Sequence, residues 1–134
     1  VHNDISGSGM IKQDNGNFVR GKNMPASAPF GPFLVTADEV VNPYAIQIKL
    51  DVDGRVLQDG TTGTMLFKIA ELISYISKQM PLEPGDIVAT GTPAGLAMMH
   101  QPTAWLEPGQ TVRVELKGLG VLNNPIEKGV PFLD

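Results

Sequence analysis

The sequence predicts a β-rich α+β fold, in which a sheet curls around a pocket and one long helix packs on its outside. Three observations support this class. The 15 glycines and 11 prolines are spread along the 134 residues, which is typical of short strands joined by tight turns. Several segments alternate apolar and polar residues, as half-buried strands do, and one segment carries apolar residues at helical spacing. We expect a single domain, residues 1–134.

The first quarter of the chain is expected to be mostly loop. Residues 7–31 are rich in glycine, proline and asparagine, and Asn15-Gly16 suits the turn of a short hairpin. Residues 33–36 then have the composition of a short buried strand, and residues 37–40 that of a single helical turn.

A β-hairpin is predicted next, because residues 45–52 alternate between apolar and polar side chains. One face would carry Ile46, Ile48, Leu50 and Val52, and the other Gln47, Lys49 and Asp51. Asp53-Gly54 is a favourable two-residue turn, so residues 55–58 should return antiparallel to the first strand.

The one long helix is predicted over residues 65–80. Thr64 can cap its N-terminus, and Pro81 would end it. Apolar side chains at helical spacing form a stripe that should pack on the sheet: Ile69, Leu72, Ile73 and Ile76.

The remaining third of the chain again indicates strands and turns. Residues 87–90, 112–116 and 121–123 have strand patterns, and Gly118-Leu119-Gly120 forms a turn between the last two. The expected total is six to eight short strands with one long helix.

Composition excludes several classes of function. A net charge of −4, with ten scattered basic residues, argues against nucleic acid as a partner. No apolar run is long enough to cross a membrane. The absence of cysteine excludes disulfides, thiolate metal sites and cysteine nucleophiles, and it fits a cytoplasmic location. The start, Val1-His2-Asn3-Asp4, has neither a signal peptide nor an initiator methionine, so we expect a longer parent protein.

No self-contained catalytic motif is present in the sequence, neither a Gly-x-Ser-x-Gly elbow nor a phosphate loop, a dinucleotide fingerprint or a His-Glu-x-x-His pair. What remains is a small set of polar residues near predicted strand ends: Asp4, Lys22, and Gly91-Thr92-Pro93. Each also has a plainer interpretation. Asp4 could bond a turn, Lys22 could be a solvated surface lysine, and Gly91-Thr92-Pro93 could simply end a strand.

Seven short motifs in a fixed order carry a family resemblance. They are Asn3-Asp4-Ile5-Ser6, Arg20-Gly21-Lys22, Pro29-Phe30-Gly31-Pro32, Asp59-Gly60-Thr61-Thr62, Leu82-Glu83-Pro84-Gly85-Asp86, Ala89-Thr90-Gly91-Thr92-Pro93-Ala94-Gly95, and Leu106-Glu107-Pro108-Gly109 with Gly118-Leu119-Gly120. Over about residues 1–128 the chain resembles the catalytic C-terminal part of the fumarylacetoacetate hydrolase family, which includes acylpyruvate hydrolases, oxaloacetate decarboxylases and 2-hydroxyhepta-2,4-diene-1,7-dioate isomerases.

The resemblance implies a roll of mixed β-strands and a divalent metal, usually Mg²⁺, with Mn²⁺ or Ca²⁺ as alternatives. In the family three carboxylates hold this ion, and Asp4 matches the third. The other two lie upstream in a Glu-x-Glu motif that this sequence lacks. A missing N-terminal segment or a companion chain is therefore expected to supply them. A single carboxylate is a poor Mg²⁺ site, so the chain alone should bind metal weakly and be inactive.

The resemblance also implies a mechanism on a small 2-oxo acid. The metal would chelate the 1-carboxylate and 2-oxo oxygens and stabilise an enolate. Lys22 matches the family lysine that supports the substrate oxyanion, and Gly91-Thr92-Pro93 would receive a carboxylate or carbonyl oxygen. The acid–base group, a His or Glu of the family's lid, lies upstream of this sequence. A homodimer is expected, as is common in the family.

Departures from the family pattern leave three hypotheses open. After Asn-Asp-x-Ser the family usually shows Arg, Asp and Gln, which are absent in Gly7-Ser8-Gly9-Met10-Ile11, and Thr64 replaces an Asp. The chain is then a metal-dependent hydrolase, decarboxylase or isomerase; a repurposed enzyme for cyclisation or dehydration of a larger substrate; or a binding subunit without chemistry. His2, which would lie on the same strand face as Asp4, is a weaker site candidate because the family shows no such ligand. His100 is also weaker, because a histidine in a loop such as residues 98–101 is more often exposed to solvent.

Overall fold

The computed structural model describes residues 1–129, and residues 130–134, the end of the predicted domain, lie outside the described residues. Its centre is a four-stranded sheet with the order β2-β1-β3-β4. The strands are β1 (Gln47–Val52), β2 (Arg55–Thr61), β3 (Thr111–Leu116) and β4 (Gly120–Pro125). The β-rich α+β class is confirmed. Within residues 1–129 every pairing in this sheet is antiparallel, whereas the resemblance implies a roll of mixed strand direction.

Two of the three predicted hairpins are confirmed, and both belong to the sheet. β1 and β2 are joined through Asp53-Gly54, and β3 and β4 through the turn at Gly118. The first turn is also tied to β3, because Thr111 N–H donates to the Asp53 carboxylate over 2.9 Å and Asp53 N–H donates to the Thr111 carbonyl over 3.1 Å. The two hairpins are therefore locked side by side through their central strands.

One face of the sheet, which we call the floor face, holds the apolar core. Directly paired residues share a face, so the pairing of Leu50 with Val114 and of Val52 with Val112 places all four there. Val112 is 1% exposed, and Val52 and Val114 are also buried. The opposite face is charged, with an ion pair between Arg113 and Glu115. This division explains the alternation in the sequence.

The first quarter of the chain contains two short helices, α1 (Ser8–Gln13) and α2 (Val19–Lys22), so the predicted hairpin at Asn15-Gly16 is wrong. Both turn residues do have positive φ, 52° and 89°. They end α1 instead: Gly16 N–H donates to the Ile11 carbonyl over 2.9 Å, and Asn15 N–H to the Lys12 carbonyl. This is the Schellman arrangement that closes helices with a left-handed residue.

The long helix is shorter than predicted. Helix α3 runs from Ile69 to Ser77 and not over residues 65–80, and Thr64 belongs to a separate 3-10 turn. The helix begins after Lys68 because the Glu71 carboxylate accepts the Lys68 N–H over 2.6 Å. None of its nine residues is buried. The prediction that its apolar stripe packs on the sheet is therefore also wrong within residues 1–129. Its stripe is half-buried at most, and Ile73 is exposed.

Two predicted strands are absent from the described part of the chain. Residues 33–36 and 87–90 have no regular structure, and Leu34 is 89% exposed. Because their backbones find no ladder partner among residues 1–129, the sheet has four strands and not six to eight. The single helical turn predicted at residues 37–40 is present as a 3-10 turn, Ala37–Glu39. No helix within residues 1–129 has the length and apolar character to span a membrane.

We predict that Val112→Ala lowers the free energy of unfolding by about 2 kcal/mol, because it removes two buried carbons and leaves a cavity. Val56→Ala is the matched control, since Val56 lies on β2, is 44% exposed and should lose far less. Urea unfolding of both variants checks this, and equal losses would contradict the assignment of the core.

Candidate functional site

The N-terminal segment is held in place by backbone hydrogen bonds to α2 and to the segment that follows it. Asn3 N–H donates to the Pro29 carbonyl over 3.0 Å, Ile5 N–H to Ser27 over 2.9 Å, and Gly7 N–H to Gly21 over 2.8 Å. Since the N–H groups of residues 3, 5 and 7 are all engaged, the backbone on either side of Asp4 is fixed. The buried Asn3 side chain also contacts Asn124 of β4, with 3.4 Å between Nδ2 and Oδ1.

Helix α2 carries Lys22 and is fixed against α1. Arg20 forms a two-pronged ion pair with Asp14, with N–O distances of 2.7 and 2.6 Å. This hydrogen-bonded guanidinium holds the pKa of the Asp14 carboxyl below its ordinary value. Gly21 faces α1 so closely that a Cβ there would lie 2.4 Å from Ile11 Cγ1. Lys22 therefore projects from a helix end that cannot rotate freely.

Asp4 and Lys22 are brought together. Lys22 Nζ donates a hydrogen bond to Asp4 Oδ2 and forms an ion pair with it, and the two side chains are 31% and 41% exposed, respectively. The predicted cation and the predicted metal ligand thus form one partly exposed pair. The lysine ammonium has three N–H donors, so one contact with Asp4 leaves two for another ligand.

The segment Gly91-Thr92-Pro93 is fixed separately, on β2. Gln58 of β2 donates its Nε2 to Thr92 Oγ1 over 2.9 Å and to the Pro93 carbonyl over 2.7 Å. A Cβ on Gly60 would lie 2.9 Å from Pro93 Cβ, so the loop rests directly on the strand. The strand predicted before this loop is absent, and the strand that holds it is β2.

The segments next to the two parts contact the floor face at opposite edges of the sheet. Gly60 on β2 pairs with Ile48, which pairs with Leu116, which pairs with Gly120 on β4, so the four share one face. A Cβ on Gly120 would lie 3.0 Å from Pro32 Cδ, while Gly60 faces Pro93. Three strand spacings separate the edges, roughly 14 Å before any curling. No hydrogen bond or ion pair within residues 1–129 joins the Asp4–Lys22 pair to Thr92.

Asp4 is not joined by other metal ligands in the described part of the chain, where no three His, Cys, Asp or Glu residues are grouped to hold an ion. The His2 ring lies 3.3 Å from the Pro29 carbonyl and the His100 ring 3.1 Å from the Gly95 carbonyl, so both imidazoles face backbone oxygens. Hard divalent cations need several oxygen ligands. Residues 1–129 by themselves therefore do not fit a magnesium ion.

Gln58 was not among the site residues predicted from the sequence. It is a polar side chain on the floor face, in the row of Leu50, Val114 and Leu122, and it is only 7% exposed. Only its position along β2 could have identified it. Counted forward from the Asp53-Gly54 turn, with one extra residue at Leu57, Gln58 lies opposite Leu50. That extra residue, a β-bulge, cannot be read from the alternation alone.

Comparison with known proteins agrees with this architecture. The family model described as fumarylacetoacetate (FAA) hydrolase C-terminal matches residues 1–127. A relative from Burkholderia cenocepacia is 42% identical over 121 residues, which is 90% of this chain and 43% of the relative.

Two solved structures have the same fold. Fumarylacetoacetate hydrolase of Exiguobacterium antarcticum is 34% identical with a TM-score of 0.88, over 92% of this chain and 44% of that one. A 2-hydroxyhepta-2,4-diene-1,7-dioate isomerase of Mycobacterium marinum is 34% identical with a TM-score of 0.82, over 94% of this chain and 46% of that one. This chain spans less than half the length of the relatives it matches.

We predict that Gly95→Ala detaches the loop at residues 91–95 from β2. Gly95 has φ 102°, and a Cβ there would lie 2.1 Å from the Leu57 carbonyl oxygen, a distance that forces backbone movement. Gly109→Ala is the matched control, because Gly109 has a similar φ of 95° with nothing within 4 Å of the added Cβ.

Both variants place an alanine at positive φ, which lowers the free energy of unfolding by about 1 kcal/mol or more. Gly95→Ala should lose clearly more free energy of unfolding in urea than Gly109→Ala. Equal losses would show that the close approach of the loop to β2 is not part of the folded state.

Proposed function

This chain belongs to the fumarylacetoacetate hydrolase family, and from that premise we propose that its protein acts on a short 2-oxo or 1,3-dicarbonyl acid. The reaction would be C–C bond hydrolysis, decarboxylation or keto–enol isomerisation. The observation that carries the proposal is the Asp4–Lys22 pair, a fixed cation at the edge of an apolar floor, which the sequence resemblance identified independently of the geometry.

The names of two structural relatives support this class of substrate. One is a fumarylacetoacetate hydrolase and the other a 2-hydroxyhepta-2,4-diene-1,7-dioate isomerase. A 2-hydroxy-2,4-diene-1,7-dioate is the enol form of a 2-oxo dioate, so that substrate carries carboxylates and an enolisable carbonyl. An enzyme for such a substrate needs donors for carboxylate oxygens and positive charge for the oxyanion that forms.

Lys22 would supply the positive charge. Its ammonium is partly exposed and retains two N–H donors beyond the contact with Asp4. Helices α1 and α2 and the backbone ladder to residues 3–7 hold it in place, so little reorganisation is needed when negative charge develops on the substrate. Asp4 both orients Lys22 and lowers the net charge of this part of the site.

The loop on β2 would bind a substrate carboxylate. The N–H groups of Gly91 and Thr92 make no hydrogen bond to other described residues, and both residues are exposed. Two adjacent N–H donors and a hydroxyl suit an anionic oxygen. Between the two edges, the partly buried Leu50 of the floor face would contact the carbon chain and exclude water.

We include Mg²⁺, or Mn²⁺ or Ca²⁺ in its place, as a requirement of the complete protein, with Asp4 as one ligand. The other ligands would come from outside residues 1–129, either from further residues of the same protein or from a companion chain. A homodimer is part of the proposal, and the exposed Met98 and Met99 offer apolar surface for it.

A second candidate is a subunit of this fold without chemistry. The same ion pair supports it, because Asp4 and Lys22 satisfy each other and leave no unpaired charge. The absence of the family's Arg, Asp and Gln between residues 7 and 11 points the same way. Activity measurements separate this candidate from the enzyme, since a binding subunit turns over no substrate.

We predict that the protein cleaves or isomerises a short 2-oxo acid in the presence of magnesium, and that Lys22→Met lowers kcat/KM about 100- to 1000-fold. This is the usual effect of removing one oxyanion donor. Lys12→Met is the control, because Lys12 is an exposed residue of α1 with no contact to Asp4.

A panel of acylpyruvates, oxaloacetate and 2-oxo dioates, followed by ultraviolet absorbance, checks this. Wild-type protein that is inactive on the whole panel would contradict the enzymatic proposal and favour the binding subunit. Equal activity of the Lys22 and Lys12 variants would contradict the role of Lys22.

A further inference from the structure

We infer that Gln58 is a positioning residue that directs the hydroxyl hydrogen of Thr92 away from the protein and toward a substrate carboxylate. This inference rests on the proposed function and adds to it the residue that sets the carboxylate-binding end of the site. Gln58 itself does not contact the substrate; it acts through Thr92.

The burial of Gln58 shows that its hydrogen bonds are needed. The side chain is 7% exposed and shares its face with Leu50, Val114 and Leu122, an otherwise apolar row. A buried amide without partners would be strongly destabilising. Gln58 meets this requirement by bonding to the loop at residues 92–94, and no ionisable side chain among residues 1–129 hydrogen-bonds to it.

The orientation of the Gln58 amide follows from its surroundings. The carbonyl oxygens of Pro93 and Ala94 lie 2.7 and 3.5 Å from Nε2, and a carbonyl oxygen can only accept. The NH₂ group must therefore face the loop. The third contact, 2.9 Å to Thr92 Oγ1, is then a bond in which Gln58 donates and Thr92 accepts.

This direction of donation decides where the Thr92 hydroxyl points. Because Oγ1 accepts from Gln58, its own hydrogen must find an acceptor elsewhere. The Pro93 carbonyl lies 3.5 Å from Oγ1, longer than the roughly 2.5–3.0 Å of an ordinary O–H···O hydrogen bond, so this contact holds the hydroxyl hydrogen only weakly. The hydroxyl of this exposed residue is thus available to a better acceptor, and it is a stronger donor because it accepts. It lies beside the Gly91 and Thr92 N–H groups.

Two variants test this role by removing the amide donor of Gln58 while keeping a side chain of similar size. In Gln58→Glu the ionised carboxylate can only accept, so the Thr92 hydroxyl turns inward to donate to it. In Gln58→Met there is neither a donor nor a charge. Gln110→Glu is the control, because the Gln110 oxygen accepts from Glu107 N–H over 2.8 Å and a carboxylate keeps that bond.

Near neutral pH we expect Gln58→Glu and Gln58→Met to raise KM for the carboxylate substrate about tenfold, with a small change in kcat, and Gln110→Glu to leave both unchanged. As the pH falls toward the carboxyl pKa, which burial raises above about 4.3, protonation restores a donor. The KM of Gln58→Glu relative to wild type should then recover, while that of Gln58→Met should not. Thr92→Val added to Gln58→Met should raise KM no further.

The ¹⁵N relaxation of the loop amides at residues 91, 92, 94 and 95 gives a readout independent of turnover. Their order parameters should fall in Gln58→Met while those of β3 stay unchanged. An active wild type with unchanged KM in both Gln58 variants, or a KM of Gln58→Glu that does not recover at low pH, would overturn the inference alone. A wild type that turns over no 2-oxo acid would contradict the proposed function and with it the substrate-directed role of Gln58.

Discussion

The antiparallel pairing of β1 with β3 is the interaction on which the rest of the structure depends. It joins two hairpins that are far apart in sequence, and the chain between them includes α3 and the loop at residues 91–95. Closing so long a connection carries an entropic cost, which the burial of Val52, Val112 and Val114 offsets. Because β1 and β3 take the centre, β2 and β4 become the edges. The loop that carries Thr92 is held by β2, and Asn3, next to Asp4, contacts β4.

The two edge strands carry polar side chains on an otherwise apolar face, and these fix the two parts of the site. Gln58 of β2 holds the loop with Thr92, and Asn124 of β4 contacts Asn3 beside Asp4. The core thus sets the distance between the parts, while the Gln58 amide orients the loop and backbone hydrogen bonds orient residues 3–7. In our account the substrate lies between them, with its carboxylate at the β2 edge and its developing negative charge at Lys22.

Local signals predicted the central sheet well and its surroundings poorly. Alternation and short turns indicate all four strands, because strand faces and hairpin turns are encoded by neighbouring residues. The hairpin predicted at Asn15-Gly16 was wrong because the same left-handed turn can end a helix as readily as it can join two strands. The predicted start of α3 was wrong because the Glu71 carboxylate caps the helix at Lys68. Helix propensities do not show which residue will be capped. The family resemblance alone predicted that Asp4 and Lys22 serve one site, and it did not predict the ion pair between them. Gln58 was not predicted because the bulge at Leu57 hides its position.

The most direct test of the account is whether one ligand engages both edges of the sheet. Heptanedioate, a seven-carbon diacid long enough to reach both edges and without an oxo group to react, would be titrated into ¹⁵N-labelled protein with magnesium present. The amide signals of Lys22 and Thr92 would be followed by two-dimensional NMR. Binding across both edges predicts that both signals shift and saturate with the same Kd. Shifts at only one of the two residues, or two different Kd values, would show that the Asp4–Lys22 pair and the loop on β2 are separate sites.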